Sequence, residues 1–229
     1  MVKVISLGGS IVVPDSIHIE YLKKLANLVR SYLHEHPDRK LVFIVGGGRP
    51  AREYQDAYRA IVHSPDDESQ DWIGIAATRL NGELLRGIFR EECPNSLVTD
   101  PTSIQSFEGS ILVAAGWKPG FSSDYDAVLL AEAFRSDMVI NLSNIDQVYT
   151  ADPRKDPSAR PIPQLTWQEF RSLVGEDWVP GIHAPFDPIA ARKAQELRLK
   201  VIVASGTDLD NLKNLLEDRP FKGTTIGPD

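Results

Sequence analysis

The 229-residue sequence has a single cysteine, no long apolar run and no basic excess. Cys93 alone cannot form an internal disulfide, which predicts a protein of the reducing cytoplasm. The absence of any apolar run of about 18 residues predicts that no segment spans a membrane. The first residues enter a strand-like run without the features of a signal peptide, so we expect no secretory leader. A net charge of −7 argues against a general nucleic-acid binder.

Signatures of several common enzyme classes are also missing. The sequence has no G-x-x-x-x-G-K-[ST] loop and no G-x-G-x-x-G after a strand, which disfavours P-loop kinases and dinucleotide enzymes. Without a G-x-S-x-G elbow, a Ser-His-Asp hydrolase is unsupported. The histidines show no metal-ligand spacing; they are His18, His34, His36, His63 and His183. These absences leave room for a phosphate-binding protein of another class.

Apolar runs of strand length alternate with amphipathic helical patterns along the chain. The predicted strands are residues 2–7, 41–45, 111–115, 138–142 and 200–204. One helix is predicted to begin after a cap at Asp15 or Ser16, and a second to run through Tyr54 and Tyr58. Four more are predicted over residues 72–89, 123–134, 187–197 and 208–216. Such a pattern predicts a three-layer α/β/α sandwich with a mainly parallel central sheet. Because no linker interrupts it, we expect one domain over residues 1–229.

The segment before the third helix is polar and acidic. Residues 63–70 therefore predict a loop, and Asp71 then stands at a predicted helix start, where aspartate is a common N-cap. Thr78 lies seven residues later and hence on the same face of the helix. The apolar side of this helix is predicted to contain Ile73, Ala77, Leu80, Leu84 and Ile88.

Two glycine clusters follow the first two predicted strands. Gly8-Gly9-Ser10 follows the first strand, and Gly46-Gly47-Gly48 follows the second. Glycine allows positive φ and a close approach of a ligand to the backbone, and an adjoining helix N-terminus favours an anion. The alternative is a pair of tight strand-to-helix turns. Ligands bind at the carboxyl ends of the strands in such sheets, so the clusters predict a phosphate site there.

Six segments, in the same order along the chain, resemble those of the amino acid kinase family. They are residues 5–10 (ISLGGS), 46–52 (GGGRPAR), 71–78 (DWIGIAAT), 116–124 (GWKPGFSSD), 144–153 (NIDQVYTADP) and 187–191 (DPIAA). Arg52 after the triple glycine and the aspartate-x-x-glycine segment of Asp71 and Gly74 resemble those of UMP kinases. Residues 8–14 (GGSIVVP) and the shortness of the chain resemble the archaeal type of these enzymes. The resemblance covers essentially the whole chain.

This resemblance implies ATP-dependent phosphoryl transfer to UMP, giving UDP for pyrimidine nucleotide synthesis, with Mg²⁺ as cofactor. The implied ATP-binding residues are Gly8, Gly9, Ser10, Ser143, Asn144, Asp146, Tyr149 and Asp152. The implied UMP-binding residues are Gly46, Gly47, Gly48, Arg52, Asp71, Gly74, Thr78, Ser122 and Ser123. Asp124 would orient the transfer site and hold the metal ion, for which a carboxylate is a suitable ligand. UMP and ATP would be the partners of a homo-oligomer, a hexamer built from dimers, without nucleic acid or membrane.

Plain structural interpretations stand beside these roles. Arg52 could be a solvated helix arginine and Thr78 a threonine on a helix surface. Asp124 could be a first-turn acid that complements the helix dipole. Tyr149 could be a buried tyrosine of a turn.

Ser6 departs from the family pattern. Many members have a lysine there, which neutralises charge on the transferring phosphoryl group, and losing such a donor costs on the order of 10²–10³ in rate. Lys118 is the candidate catalytic cation in its place, with Arg49 as the second candidate. Gln147 replaces a glycine and needs an ordinary φ, or strain. Tyr125-Asp126 is bulkier and more acidic than the small residues common at this point.

Two other functions remain open at the level of the sequence. The chain could be another phosphotransferase of the family, acting on an acyl acid or on isopentenyl phosphate. It could also be a non-catalytic relative that binds a nucleotide or an oxyanion, an interpretation that Ser6 favours.

Overall fold

The computed structural model describes residues 1–175 and 184–228, so His183 lies outside the described residues. Within these ranges the chain forms nine strands and eight helices. In chain order they are β1 (Val2–Leu7), α1 (Gly9–Val12), α2 (Ile19–Glu35), β2 (Lys40–Val45), α3 (Gly48–Ile61), α4 (Asp67–Ile88), β3 (Ile111–Ala114), α5 (Ser123–Ala133), β4 (Met138–Ser143), β5 (Val148–Tyr149), β6 (Pro161–Ile162), β7 (Gln164–Leu165), α6 (Trp167–Val174), α7 (Pro188–Glu196), β8 (Lys200–Ser205), α8 (Leu209–Leu216) and β9 (Thr224–Ile226).

One sheet organises the described chain, with its strands in the order β3-β2-β1-β4-β8-β9-β7. The first five strands of this order are parallel to their neighbours, and Ser6 of β1 lies opposite Ile44 on one side and Asn141 on the other. β9 is antiparallel to β8, and β7 runs parallel to β9. β5 and β6 form a separate antiparallel pair. The carboxyl ends of β1, β2, β3 and β4 therefore meet at one edge of the sheet.

Each face of the sheet is covered by its own hydrophobic core. Ile5 and Leu7 of β1 belong to a core that contains Leu25 of α2 and Leu212 of α8. Val4, which points to the opposite face, belongs to a core shared with α5, α6 and α7. Alternation along a strand explains this division, because successive side chains point to opposite sides. The arrangement confirms the predicted three-layer α/β/α sandwich.

The start of α4 differs from the prediction. The helix begins at Asp67, and Asp66 caps it by accepting a hydrogen bond from the Ser69 amide at 2.7 Å. The prediction of a loop over residues 63–70 is therefore wrong for its second half, because acidic residues stabilise the first turn of a helix. Asp71 lies inside the helix and is not its N-cap.

The inward side of α4 also differs from the prediction. Leu80 is 69% exposed, whereas the buried residues of the helix are Ile75, Asn81, Gly82 and Leu85. α4 packs beside α3 as well as on the sheet. Its inward side therefore needs a small residue and a hydrogen-bonding residue at positions that apolar periodicity does not identify.

The start of α2 was not predicted correctly, and α1, β5, β6, β7, α6 and β9 were not predicted at all. α2 begins after His18, which makes no capping hydrogen bond, so neither Asp15 nor Ser16 caps it. α6, β7 and β9 have no strong pattern in the sequence; β9 contains two threonines and lies beside β8 near the edge of the sheet. No helix in residues 1–175 and 184–228 is long and apolar enough to cross a membrane.

Candidate active site

The two glycine loops pack against each other at the carboxyl ends of β1 and β2. A Cβ atom on Gly9 would overlap the Gly48 amide nitrogen, and a Cβ on Gly46 would lie 2.6 Å from the Gly9 nitrogen. Gly48 also has a φ of +67°, which side chains rarely adopt. These glycines are therefore required for the contact between the loops, whatever else they bind.

Neither loop supplies a side chain to cap the helix that follows it. Gly8 precedes α1 and Gly47 precedes α3, and neither helix start receives a side-chain hydrogen bond. The first amides of a helix otherwise need a partner, and an anion is a suitable one. The amide of Gly8 itself is taken by the Leu142 carbonyl at 2.8 Å, which ties the first loop to β4.

Asn81 of α4, which the sequence interpretation missed, fixes the second loop. Its side-chain amide donates to the Gly46 carbonyl at 2.9 Å and to the Gly47 carbonyl at 3.1 Å, and the residue is 3% exposed. The one signal in the sequence was its position three residues after Thr78, on the same face of the helix.

Three residues around α3 extend this site toward solvent. Arg52 is exposed and donates to the Ser10 hydroxyl at 3.1 Å, so it lies across both glycine loops. Arg49, the second candidate cation, pairs instead with Asp15 and Glu53, each at 2.6 Å. A Cβ on Gly74 would lie 2.9 Å from the Gln55 side chain, so this glycine allows α3 and α4 to approach each other.

The loop over residues 116–122 is held by side chains of α4 and α5. Thr78 donates to the Ile75 carbonyl at 2.7 Å and accepts from the Gly116 amide at 2.8 Å. Asp71 accepts from the Gly120 amide at 2.8 Å. Asp71 and Thr78, both predicted to contact UMP, therefore anchor this loop to α4 in the structure.

Asp124 lies at the centre of this edge, in the first turn of α5. One carboxylate oxygen accepts from the Ser6 hydroxyl at 3.1 Å and the other accepts from the Asp187 amide at 3.2 Å. Burial, together with the nearby negative charge of Asp187, raises the pKa of Asp124 to about 6. Ser6 therefore contacts the carboxylate from the position where many family members have a lysine.

This carboxylate set suits a divalent cation. Two carboxylates, Asp124 and Asp187, lie close enough for the second to raise the pKa of the first, and oxygen ligands are those that Mg²⁺ prefers. Ser122 precedes them and caps α5 by accepting from the Tyr125 amide at 3.2 Å, and Ser123 is the first residue of the helix.

Lys118 lies among aromatic rings. Its ammonium nitrogen is 3.9 Å from the centre of the Trp117 ring and 5.2 Å from that of Phe121. Phe121 in turn packs against Tyr125 with 4.7 Å between ring centres. Cation–π attraction therefore holds Lys118 on its own loop.

Asp126, a buried acid next to this loop, departs from the family pattern, and no role was predicted for it from the sequence. Asp126 is fully buried, and one of its oxygens accepts from the Trp117 amide at 3.1 Å. Burial raises its pKa to about 7, and the nearby charges of Asp124 and Asp100 act in the same direction.

A cavity of about 310 Å³ lies beside the β5–β6 pair, and its lining includes the predicted residues Tyr149 and Asp152. Tyr149 donates to Asp146 at 3.0 Å. Burial would raise the pKa of Asp146, but its bonds to Lys222 and Tyr149 lower it. Ser143 accepts from the Ile145 amide at 3.3 Å, next to the exposed Asn144.

Hydrogen bonds also order the rim of this cavity. Asp152 bonds to the backbone and guanidinium of Arg154, which lowers the pKa of its carboxyl. Gln147 does not have a positive φ and donates to the Gly223 carbonyl at 3.1 Å, so it replaces the family glycine without strain.

A separate group of possible metal ligands lies far from these loops in the sequence. Glu35, His36 and Glu217 place three ligand atoms within 4.8 Å of one another. His36 is 3.1 Å from both carboxylate oxygens of Glu217, so hydrogen bonding explains their approach. Histidine spacing could not have revealed it, because Glu217 is distant in the sequence.

The fold and this edge of the sheet define an α/β protein built to bind phosphate groups. Residues 1–205 match the model of the amino acid kinase family, and the chain belongs to that family. It is similar to the uridylate kinases of Hyperthermus butylicus, with 35% identity over 93% of this chain and 92% of that protein, and of Thermoplasma volcanium, with 35% identity over 97% and 96%.

Solved structures agree with this membership. The crystal structure of uridylate kinase from Archaeoglobus fulgidus aligns with a TM-score of 0.81 and 30% identity, over 98% of this chain and 100% of that one. The UMP kinase of Bacillus anthracis aligns with a TM-score of 0.76 at 20% identity, over 100% and 96%, and shows the shared fold.

Proposed function

We propose that this protein is a uridylate kinase, which transfers the γ-phosphoryl group of ATP to UMP and forms UDP and ADP. The observation that carries the proposal is the packing of two glycine loops beside Asp124, in a chain similar over nearly its whole length to uridylate kinases. The chain acts as one domain over residues 1–229, because the cores on both faces of the sheet pack on the same strands.

The acceptor binds beside the second glycine loop. Gly46, Gly47 and Gly48 surround the UMP phosphate, and Arg52 forms a bidentate pair with it, which lysine could not match geometrically. Arg52 suits this role because its described partner is a neutral hydroxyl and not a carboxylate.

The nucleoside of UMP lies along α4 and the loop over residues 116–122. Asp71 binds the ribose and, through Gly120, holds the loop closed over it. Gly74 and Thr78 form the wall of α4, and Ser122 and Ser123 approach from the start of α5.

The donor lies between the first glycine loop and the cavity beside β5. Gly8, Gly9 and Ser10 hold the phosphates, while Tyr149 packs against the base. The remaining donor-side residues line or support this side, namely Ser143, Asn144, Asp146 and Asp152.

Transfer requires positioning and charge neutralisation more than covalent chemistry. A phosphate oxygen of UMP attacks the γ-phosphorus, the new P–O bond forms as the bond to the β–γ bridging oxygen breaks, and its electron pair leaves with ADP. Asp124 and Asp187 would hold Mg²⁺, which would supply positive charge to the transferring phosphoryl group. Lys118 reaches the same group from its aromatic surroundings and replaces the lysine lost at Ser6.

A homo-oligomer, a hexamer built from dimers, is the assembly we propose for the cytoplasmic protein. α3 has no buried residue, and its Tyr54 and Ile61 are 71% and 83% exposed on the same side of the helix. Trp72 and Leu80 of the neighbouring α4 are also exposed. Apolar side chains concentrated on two adjacent helices favour contact with a second copy.

The test is an ADP-release assay with Mg²⁺ and ATP across UMP, CMP, dUMP, acetylglutamate and isopentenyl phosphate. UMP should be the fastest acceptor, and Asp124→Asn should lower its turnover by at least about 10²-fold. Asp137→Asn is the matched control, because Asp137 is exposed and precedes β4 at the opposite end of the strand. Brisk turnover of another acceptor, with none of UMP, would show that the proposal is wrong.

The hydrogen bond between Ser6 and Asp124 favours a second candidate, a nucleotide or oxyanion binder without transferase activity. Binding of UMP or ATP would then raise the melting temperature, as any ligand of the native state does. Stabilisation by both nucleotides, without release of ADP in the presence of Mg²⁺, would decide for this candidate.

A further inference from the structure

The peptide groups around Trp117 are held from two sides by side chains that have no assigned role. Asp126 of α5 accepts from the Trp117 amide at 3.1 Å. Arg79 of α4 donates to the Trp117 carbonyl at 3.0 Å and to the Gly116 carbonyl at 3.3 Å. The loop that carries Lys118 is therefore fixed at its first residues to both helices.

Asp126 is an unusual residue for its place. It is fully buried, and the helix positions that follow it on the inward side are the apolar Ala127, Val128, Leu130 and Ala131. Its second oxygen, Oδ1, has no hydrogen-bond partner among the described residues. A buried polar atom without a partner is costly, and a small apolar residue would avoid that cost. Packing alone therefore does not explain the carboxyl group.

We propose that Asp126 and Arg79 are positioning residues that set the loop over residues 116–122 relative to Asp124. Asp126 lies two residues after Asp124 in the same helix, so its bond to Trp117 links the loop directly to the start of α5. Arg79 links the same peptide to α4, the helix that carries Asp71. Lys118 and Gly120 thus keep a defined position over the acceptor. This inference rests on the proposed function only for its kinetic consequence.

The test compares Asp126→Val, which removes the acceptor, with Asp126→Asn, which retains a carbonyl oxygen for the Trp117 amide. The first readout is hydrogen exchange of the Trp117 amide in the full chain without nucleotide. We expect exchange at Trp117 to rise at least about tenfold in Asp126→Val and to stay near that of the unmutated protein in Asp126→Asn.

The second readout is kcat/KM for UMP. Asp126→Val should lower it by on the order of 10²-fold, since a misplacement of about 1 Å has that effect, and Asp126→Asn should restore most of it. Ser136→Ala is the control for a merely structural change, because Ser136 is a buried residue beyond the other end of α5 whose hydroxyl donates to the Met138 carbonyl and has no other hydrogen-bond partner among the described residues. It should change neither readout.

A double-mutant cycle tests whether Arg79 and Asp126 act on the same peptide group, the one that joins Gly116 and Trp117. Arg79→Met and Asp126→Val act on the same peptide, so together they should reduce kcat/KM by less than the product of their separate effects. Multiplicative losses, or unchanged exchange at Trp117 in Asp126→Val, would overturn the positioning role. If the exchange pattern holds but the unmutated protein does not turn over UMP, the positioning role stands and the proposed function fails.

Discussion

The position of the second glycine loop depends on one side chain, and replacing Asn81 by alanine tests that dependence. The substitution removes both hydrogen bonds to the Gly46 and Gly47 carbonyls and leaves the loop tied mainly through the backbone bond between Gly46 and Leu7. We expect a loss of stability and, separately, a loss of efficiency with UMP.

The magnitudes follow from the geometry. Each hydrogen bond from a buried side chain to the backbone contributes about 1 kcal/mol, so the loss of two should lower the free energy of unfolding by about 2 kcal/mol. For a chain of this size that corresponds to a fall of about 4–8 °C in Tm. If the loop shifts by about 1 Å, kcat/KM for UMP should fall by on the order of 10²-fold.

Urea unfolding measures the first effect, and UMP kinetics at saturating ATP measure the second. Asn211→Ala is the matched control, because Asn211 is also a buried asparagine with two bonds to backbone, at 2.6 and 2.8 Å from Lys222. It should lose similar stability and keep its efficiency with UMP. Equal stability losses with unchanged UMP kinetics in both variants would refute the assignment of this loop to the acceptor.

Three further predictions concern stability. Lys3, 2% exposed, donates to the last two carbonyls of α8 and to Asp218. Lys3→Met leaves those carbonyls without their donor and should cost about 1–3 kcal/mol in urea unfolding, whereas Asp218→Asn leaves the buried ammonium group without its carboxylate and should cost at least as much; a clearly larger loss in Lys3→Met would contradict this. Tyr21→Phe should raise the free energy of unfolding by about 1 kcal/mol, because the buried hydroxyl of Tyr21 has no partner among the described residues; a loss of that size would contradict this reasoning. Burial raises the pKa of Asp126 from 3.8 to about 7, so its contribution to stability is complete below pH 3.8 and is lost as pH rises through 7. With EDTA present, the free energy of unfolding of Asp126→Asn should therefore rise relative to that of the unmutated protein between pH 4 and 8, by up to about 4 kcal/mol. A difference that does not depend on pH would contradict this.

The positions of the long parallel strands were predictable for a physical reason. Parallel strands that are covered on both faces are mostly apolar, so β1, β2, β4 and β8 stand out as largely apolar runs, even though β1 contains Lys3 and Ser6 and β4 contains Asn141. Glycines at their ends mark the turns. The contact between Gly9 and Gly48 was not predictable, because nothing local in the sequence records that two loops share one volume.

The residues that orient the site were less accessible to sequence reasoning. Asn81 meets Gly46, which is 35 residues away, and Arg79 meets Trp117, which is 38 residues away. Each would pass for an ordinary helix residue on the basis of its neighbours. Asp71 and Thr78 were identified, yet their partners Gly120 and Gly116 were not, because a motif specifies residue types and not the backbone groups that they bind.

The loss of the family lysine can now be considered together with the other charges of the site. Ser6 leaves Asp124 without a side-chain cation among its described hydrogen-bond partners. Arg49 is paired with carboxylates, and Arg79 is used by the backbone around Trp117. Among the described residues, Arg52 is hydrogen-bonded to a hydroxyl, and Lys118 lies over aromatic rings with the negative charge of Asp100 nearby. Neither forms a close ion pair there, so both can exchange these contacts for phosphate oxygens at a lower cost than an ion pair requires. The UMP-binding half of the site therefore has a cation of its own, Arg52 of α3. The position of the transferring phosphoryl group depends instead on Lys118 and on the metal ion that Asp124 would hold.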